Sequence, residues 1–120
     1  MLVEDEDSVR NLSHSVLRRL GYNVLIAANG NEALEKASAY GGAIDLLMTD
    51  VVMPGMNGRE LATRLGALHP ETKVLYASGY TENVIVHHGV VEEHTNFVGK
   101  PYSVHGLAAK IREVLATPKA

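Results

Sequence analysis

The sequence lacks cysteine and tryptophan altogether, and its 120 residues include one phenylalanine and four prolines. Without cysteine, disulfides and thiolate metal sites are excluded, which fits a reducing cytoplasm. Long apolar runs are also missing, since no stretch approaches the roughly 20 residues needed to span a bilayer. The first residues are acidic, whereas a signal peptide begins with basic residues. We therefore expect a cytoplasmic protein with no membrane partner.

Basic residues are too few and too scattered to form a nucleic-acid interface. The chain has 11 Lys and Arg against 14 Asp and Glu, which gives a net charge of -3. Recognition of DNA or RNA needs a basic patch or stripe, so we expect no direct contact with nucleic acid. With 46% hydrophobic and 21% charged residues, the composition is typical of a globular protein. We expect residues 1–120 to form a single domain, with no output domain present.

Apolar runs alternate with amphipathic stretches along the whole chain, a pattern that predicts an α/β fold with a parallel sheet. The five expected strands lie at residues 1–3, 23–27, 44–50, 73–77 and 95–99. The five expected helices lie at residues 7–20, at 31–40, between the 54–58 loop and Pro70, at 81–93, and after the capping residue Ser103. The stretch 81–93 is rich in β-branched residues, but a helix is needed there to connect two parallel strands with the right hand.

The spacing of apolar residues predicts which face of each helix is buried. In the first helix the expected buried residues are Val9, Leu12, Val16, Leu17 and Leu20. In the last helix they are Val104, Leu107, Ala108, Ile111, Val114 and Leu115. The six histidines show no spacing typical of a zinc hydrolase, and we expect them to be surface or packing residues.

Charged residues stand directly after three of the expected strands. Glu4 and Asp5 follow the first strand, Asp50 ends the third, and Lys100 follows the fifth. Parallel strands end at one edge of a sheet, so these groups should meet there. Three carboxylates within about 4 Å repel by several kcal/mol per pair at an effective dielectric near 20, and only a cation among them makes the cluster reasonable.

Mg²⁺ prefers oxygen ligands and is usually held by one or two carboxylates with a phosphate group. We therefore predict a magnesium site at this edge, with Asp50 as a nucleophile that takes up a phosphoryl group. Asp5 would bind the metal directly, whereas Glu4 would act through water. Lys100 would place a positive charge opposite the acids.

Four motifs occur in a fixed order along the chain: Val3-Glu4-Asp5-Glu6, Thr49-Asp50-Val51-Val52-Met53-Pro54-Gly55-Met56-Asn57-Gly58, Ala77-Ser78-Gly79 and Phe97-Val98-Gly99-Lys100-Pro101. Together they resemble the receiver domain of bacterial two-component response regulators, and the resemblance covers essentially the whole chain. It implies a flavodoxin-like, doubly wound sheet with strand order 2-1-3-4-5 in a bacterial cytoplasmic protein.

The resemblance also implies a role for each site residue. Asp50 would accept a phosphoryl group from the phosphohistidine of a sensor histidine kinase or of a phosphotransfer protein. The implied Mg²⁺ ligands are Glu4, Asp5, Asp50 and the backbone carbonyl of Val52. The residues implied to contact the phosphoryl oxygens are Ser78 and Lys100, and the implied switch pair is Ser78 and Phe97. Such a domain is not an enzyme but a switch that phosphorylates and dephosphorylates itself.

The resemblance extends to the receivers at the carboxyl end of hybrid histidine kinases, although a freestanding receiver would contain the same chemistry. The short first strand is consistent with excision from such a kinase. The domain could form a homodimer through its last two helices and the strand between them. Val52 and Tyr80 stand where the family varies its control of hydrolysis, and their bulk predicts a slow loss of phosphate.

Three alternatives have the same architecture or related chemistry. A flavodoxin-like electron carrier would need a Ser/Thr/Gly-rich phosphate loop after the first strand, where this chain has Glu4 and Asp5. A phosphatase with an aspartyl-phosphate intermediate would need a second Asp where Val52 stands. A binding module that has lost phosphorylation would lack acceptor-site residues, and none of them is missing here.

Overall fold

The computed structural model describes residues 1–78, 97–99 and 103–116. The strands are β1 (Leu2–Val3), β2 (Ile26–Ala27), β3 (Leu46–Asp50), β4 (Lys73–Ser78) and β5 (Phe97–Gly99). The helices in this part of the chain are α1 (Asp7–Arg19), α2 (Gly30–Ala39), α3 (Gly58–Leu68) and α4 (Val104–Ala116). The helix expected at 81–93, which would form part of the expected dimer face, lies outside the described residues.

All five strands are parallel and lie in the order β2-β1-β3-β4-β5. This confirms the predicted flavodoxin-like, doubly wound α/β fold. The order reverses between β1 and β3, which is the place where such sheets bind their ligands. Within the described ranges, no helix has both the length and the apolar character that a membrane span requires.

The register of the strands sets which residues reach the carboxyl edge together. Val3 is paired with Ala27 on one side and with Thr49 on the other. Asp50 is paired with Ala77, and Ser78 with Gly99. The residue that follows Val3 is therefore level with the residue that follows Thr49, which places Glu4 beside Asp50.

Two hydrophobic clusters pack against the two faces of the sheet. Successive strand residues point to opposite faces, so Leu47 and Met48 of β3 contribute to different clusters. Leu47 packs with residues of α2 and α3, among them Ala33, Ala37, Leu61 and Leu65. Met48 packs with residues of α1 and α4, among them Leu17, Leu107, Ile111 and Val114. The central strand β3 is therefore fixed from both sides.

The starts of α2, α3 and α4 are explained by capping side chains. Asn29 and Asn57 precede the first residues of α2 and α3, and each side chain accepts a hydrogen bond from a backbone N–H three residues on. The hydroxyl of Ser103 accepts a hydrogen bond of 2.9 Å from the backbone N–H of Gly106, as predicted for the cap of the last helix. Asn29 is thus a helix cap, and α2 begins one residue earlier than expected.

The predicted buried face of α1 was partly wrong. Leu12 is 68% exposed and Leu20 lies beyond the end of the helix, whereas Ser13 and Leu17 are buried. Each residue of a helix is rotated by about 100° from its neighbour, so burial of Ser13 turns Leu12 toward solvent. The stripe that faces the sheet thus includes a small polar residue, which a count of apolar residues cannot identify. Val104 at the start of α4 is also exposed.

The strand β2 is shorter than predicted, because residues 23–25 are not part of it. This strand pairs only with β1, whose two residues Leu2 and Val3 are matched to Ile26 and Ala27. The hydrogen bonds to β1 begin at Leu25, whose carbonyl accepts the N–H of Leu2 at 2.8 Å. The length of β2 is thus set by its partner, and this information is absent from the local sequence.

His69 is a packing residue, as expected for the histidines. Its Nε2 lies 2.8 Å from the backbone oxygen of Ala37 at the end of α2, and its Nδ1 lies 3.2 Å from a Glu71 carboxylate oxygen. Backbone hydrogen bonds from Glu71 and Ile44, together with His69, hold the pKa of the Glu71 carboxyl below its usual value. This contact ties α2 to the segment before β4, at the edge of the sheet opposite the acids.

Replacing Leu47 by Ala tests the central position of β3. Leu47 has no exposed surface, and truncating a buried leucine costs about 2–5 kcal/mol because a cavity remains. We expect this loss in the free energy of unfolding measured by urea denaturation. The matched control is Leu12→Ala, which should change stability by about 0.5 kcal/mol or less. Equal losses for the two variants would show that Leu12 belongs to the core.

Candidate functional site

The candidate site lies at the carboxyl edge of the sheet, where β1 and β3 end side by side. Hydrogen bonds carry the ladder one residue beyond each strand: the N–H of Glu4 donates to the oxygen of Ala27 at 3.1 Å, and the N–H of Val51 donates to the oxygen of Ala77 at 3.2 Å. Glu4 and Asp50 are therefore held by the sheet itself. Asp5 follows in the turn that leads to α1.

Three of the predicted site residues come together here. One carboxylate oxygen from each of Glu4, Asp5 and Asp50 lies within 4.8 Å of the other two. Glu4 is 4% exposed and Asp50 is 6% exposed, whereas Asp5 is open to solvent. The cluster thus consists of two buried carboxylates and one that is exposed to solvent.

The donor set of this cluster fits a divalent cation. Two carboxylates at 4.8 Å repel by about 3 kcal/mol at an effective dielectric near 20, and the cluster contains three such pairs. All three donors are carboxylate oxygens, which hard cations prefer. The arrangement can therefore hold a metal ion, and binding of that ion would relieve the repulsion.

The backbone around the acids is held by Arg10 of α1. Its Nη1 donates a hydrogen bond of 2.9 Å to the backbone oxygen of Glu4, and its Nη2 contacts the carboxylate of Asp7. The N–H of Glu6 donates to the Glu4 side chain at 3.2 Å. Arg10 was not among the predicted site residues, and no signal in the sequence identifies it, because its partner is a backbone carbonyl.

The loop from Val51 to Gly58 returns the chain from β3 to α3 beside the acids. The N–H of Gly58 donates to the oxygen of Val51 at 2.9 Å and so closes the loop. Gly55 has φ +77°, a left-handed conformation that favours glycine. The loop therefore brings the start of α3 back to the residue that follows Asp50.

Phe97 belongs to a small apolar cluster next to the acids. It is half-buried on β5 and packs with Val52 and Tyr76 around Val51, which is fully buried and directly follows Asp50. The main chain at Asp50 and the ring of Phe97 are thus linked through one packed residue.

Of the remaining predicted site residues, the structure describes the strand position of Ser78 but not Lys100 or Tyr80. Ser78 is the last residue of β4 and is paired with Gly99 of β5. Lys100, which follows Gly99, and Tyr80 lie outside the described residues. The register therefore brings the ends of β4 and β5 to the same edge as Asp50.

Comparisons with known proteins identify the family. The sequence profile described as response regulator receiver domain matches residues 1–112. The chain belongs to the response regulator receiver domain family. It is a receiver domain of two-component phosphorelay signalling, which favours this interpretation over an electron carrier or a phosphatase.

Similar proteins include both parts of larger chains and single receivers. The chain is 40% identical over 115 residues to the sensor kinase CckA of Brucella abortus, where the match spans 96% of the chain but only 12% of the kinase. It is 29% identical to the response regulator receiver protein CpdR of the same organism, across 94% of that protein. The crystal structure of the receiver domain of the hybrid histidine kinase CckA superposes with a TM-score of 0.80 at 38% identity, covering 95% of each chain.

Neutralising Asp50 tests the repulsion within the acidic cluster. In metal-free buffer we expect Asp50→Asn to raise the free energy of unfolding by about 1–2 kcal/mol, less than the full repulsion because Asp5 is solvated. Urea denaturation with a chelator present measures this change. Adding Mg²⁺ should then stabilise the parent more than the variant.

Asp45→Asn is the matched control, because Asp45 is exposed and precedes β3 at the opposite edge of the sheet. The Asp45 carboxylate lies near the buried amino group of Met1 and partly offsets the lowering of that group's pKa by burial. This variant therefore loses a favourable interaction and should gain no stability in chelator. A loss of stability in Asp50→Asn without metal would contradict the repulsion argument.

Proposed function

We propose that Asp50 accepts a phosphoryl group from the phosphohistidine of a sensor histidine kinase or phosphotransfer protein, in a Mg²⁺-dependent reaction. The observation that carries this proposal is the convergence of Glu4, Asp5 and Asp50 within 4.8 Å, with Asp50 set at the end of the central strand. A carboxylate is already ionised at neutral pH and needs no separate base to act as a nucleophile.

In the proposed transfer, a carboxylate oxygen of Asp50 forms a bond to phosphorus while the phosphorus–nitrogen bond of the phosphohistidine breaks. The electron pair of that bond stays on the imidazole, which takes a proton from solvent. Bound Mg²⁺ would neutralise charge on the phosphoryl oxygens. The ion would be held by Glu4, Asp5, Asp50 and the backbone carbonyl of Val52, a set of oxygen ligands suited to it.

Lys100 and Ser78 would complete the site from the other half of the sheet. Support comes from the register, since Gly99 is paired with Ser78 and Asp50 with Ala77. We propose that the ammonium of Lys100 and the hydroxyl of Ser78 contact the phosphoryl oxygens. A cation there would offset the repulsion that the acids exert on an incoming phosphate.

The conformational signal would pass from Asp50 through Ser78 to Phe97. Phosphorylation takes Asp50 from one negative charge to nearly two and adds strong acceptor oxygens, which would draw the Ser78 hydroxyl. Phe97 is supported as the output of the switch by its packing against Val51, next to Asp50. A shift from 1:99 to 99:1 would need about 5.5 kcal/mol, so a partial shift in population is expected.

The similarity to CckA suggests the setting in which this receiver works. We propose that it receives its phosphoryl group as part of a hybrid histidine kinase, because its similarity to that sensor kinase is confined to 12% of the kinase. Such a receiver would pass the group on to a phosphotransfer protein. The domain would not itself turn over a substrate.

Mass spectrometry after incubation with acetyl phosphate and Mg²⁺ tests the proposed acceptor. We expect one phosphoryl group on the parent, none on Asp50→Asn, and none on the parent when a chelator replaces the metal. The Asp50→Asn variant lacks the nucleophile, and the parent in chelator lacks the cation that neutralises the phosphoryl charge.

Asp45→Asn serves again as the control, because it changes the same type of residue just before β3, at the edge of the sheet away from the site. It should be labelled like the parent. Labelling of Asp50→Asn to the same extent as the parent would overturn the assignment of the acceptor. A parent that is never labelled would favour a binding module without phosphorylation.

Val52→Asn tests the predicted slow loss of phosphate. Val52 is half-buried in the Phe97 cluster next to the acceptor, and its branched side chain would hinder an attacking water. We expect the Asn variant to lose its phosphoryl group several-fold faster, since its amide can hydrogen-bond a water. The rate is measured by following the phosphorylated mass after removal of acetyl phosphate. An unchanged rate would show that Val52 does not control hydrolysis.

A further inference from the structure

The helices α2 and α3 begin in the same way. Each starts with a glycine, Gly30 or Gly58, that directly follows a capping asparagine. The Asn29 side chain accepts the N–H of Glu32 at 2.8 Å, and the Asn57 side chain accepts the N–H of Glu60 at 2.9 Å. Both glycines are buried, so the two sites form a natural matched pair.

The two glycines differ in what a side chain would meet. A Cβ on Gly30 would lie 2.7 Å from the sulfur, 3.2 Å from the Cγ and 3.0 Å from the Cβ of Met56. The sulfur can move away because the methionine side chain is flexible, and the Cβ would need to shift by only a few tenths of an ångström. A Cβ on Gly58 would lie 2.1 Å from the backbone oxygen of Asp50 and 3.0 Å from its carbonyl carbon. Main chain within a sheet cannot yield in this way, so Gly58 permits an approach that no other residue allows.

Gly58 also contacts the next peptide unit. Its N–H donates to the oxygen of Val51 at 2.9 Å, while its Cα lies against the carbonyl of Asp50. The first residue of α3 therefore touches two successive carbonyl groups that follow the acceptor side chain. These are the groups that determine the path of the main chain from Asp50 to Val52.

We propose that Gly58 is a positioning residue of the phosphoacceptor site, whose missing side chain lets α3 seat directly on the Asp50 carbonyl. This seat sets the main-chain path that presents the Asp50 carboxylate and the Val52 carbonyl to the cation. The inference depends on the proposed function of Asp50. Gly58 has no side chain that could bind the metal or the phosphoryl group, so it would act through the main chain of Asp50 and Val51.

A methyl group at this position would force β3 and α3 apart by roughly 1 Å, because carbon and oxygen atoms do not approach to 2.1 Å. A displacement of that size can slow a positioned reaction by about 100-fold. Loss of a supporting contact behind metal ligands typically weakens metal affinity about 10- to 100-fold.

The test compares Gly58→Ala with Gly30→Ala in the full 120-residue chain. Mg²⁺ affinity is measured by calorimetric titration, the rate of labelling by acetyl phosphate is followed by mass spectrometry, and folding is checked by circular dichroism. For Gly58→Ala we expect Mg²⁺ affinity to fall by about tenfold or more and labelling to slow by about 100-fold. Gly30→Ala should stay near the parent in both. Equal behaviour of the two variants would overturn the inference.

A second variant separates the backbone contact from a side-chain contact. The Cβ on Gly58 would also lie 3.3 Å from the Cγ2 of Thr49. Serine at position 49 keeps the hydroxyl and removes that methyl group, so we expect Thr49→Ser combined with Gly58→Ala to remain impaired. Recovery of Mg²⁺ affinity in the double variant would show that the Thr49 methyl caused the defect, and would overturn the proposed role of the carbonyl.

If Gly58→Ala does not fold, the parent protein supplies the decisive readout. In an NMR titration with Mg²⁺, the amide signals of Val51 and Gly58 should shift with one common affinity, while that of Gly30 stays in place. If the amide signal of Gly58 does not shift when Mg²⁺ is added, the glycine contributes to folding but not to metal binding, and the inference is wrong. A parent that neither binds Mg²⁺ nor becomes labelled would refute the proposed function, whereas a normal parent with a normal Gly58→Ala refutes only this inference.

Discussion

Repulsion between acids is the constraint on which this structure depends. The fold holds Glu4, Asp5 and Asp50 within 4.8 Å of one another, and two of them are nearly excluded from solvent. Each pair of charges costs folding free energy, so the domain keeps this cluster at the expense of its own stability. Any species that binds the acids in the folded state alone, such as a cation, lowers that cost and is stabilising by linkage. Folding, metal binding and chemistry are therefore coupled at one edge of the sheet.

The rest of the molecule keeps the acids in place against this repulsion. The strand β3 has a hydrophobic cluster on each face, with Leu47 in one and Met48 in the other. Its last residue, Asp50, is thereby fixed more firmly than a residue on a free loop would be. Arg10 holds the backbone at Glu4, and Gly58 seats α3 against the carbonyl of Asp50. Asp5 alone remains exposed, which leaves an open side for a partner to approach.

The packing around Val51 connects Asp50 to Phe97, so a change in charge at Asp50 could alter the position of the Phe97 ring. Val51 directly follows Asp50, is fully buried and packs against the half-buried ring of Phe97. A cluster of this size has few alternative arrangements, so a new charge at Asp50 would favour one packing of the ring over another instead of a gradual deformation. Because Phe97 has no hydroxyl group, any signal it gives must come from the position of its ring.

The sequence by itself determined the fold class, the strand order through its resemblance to receivers, and the identity of the three converging acids. The fold class and the acids follow from local patterns, because alternating apolar runs predict strands and helices, and charges directly after parallel strands must meet at one edge. Only the tertiary structure decided that Ser13 faces the sheet while Leu12 faces solvent, and that β2 extends no further than its partner β1. It also decided that Arg10 donates to the carbonyl of Glu4 and that Gly58 lies against the carbonyl of Asp50, since both contacts are made with backbone groups that every residue possesses. A contact with the main chain leaves no pattern in side-chain chemistry, and so it becomes visible only when the chain is folded.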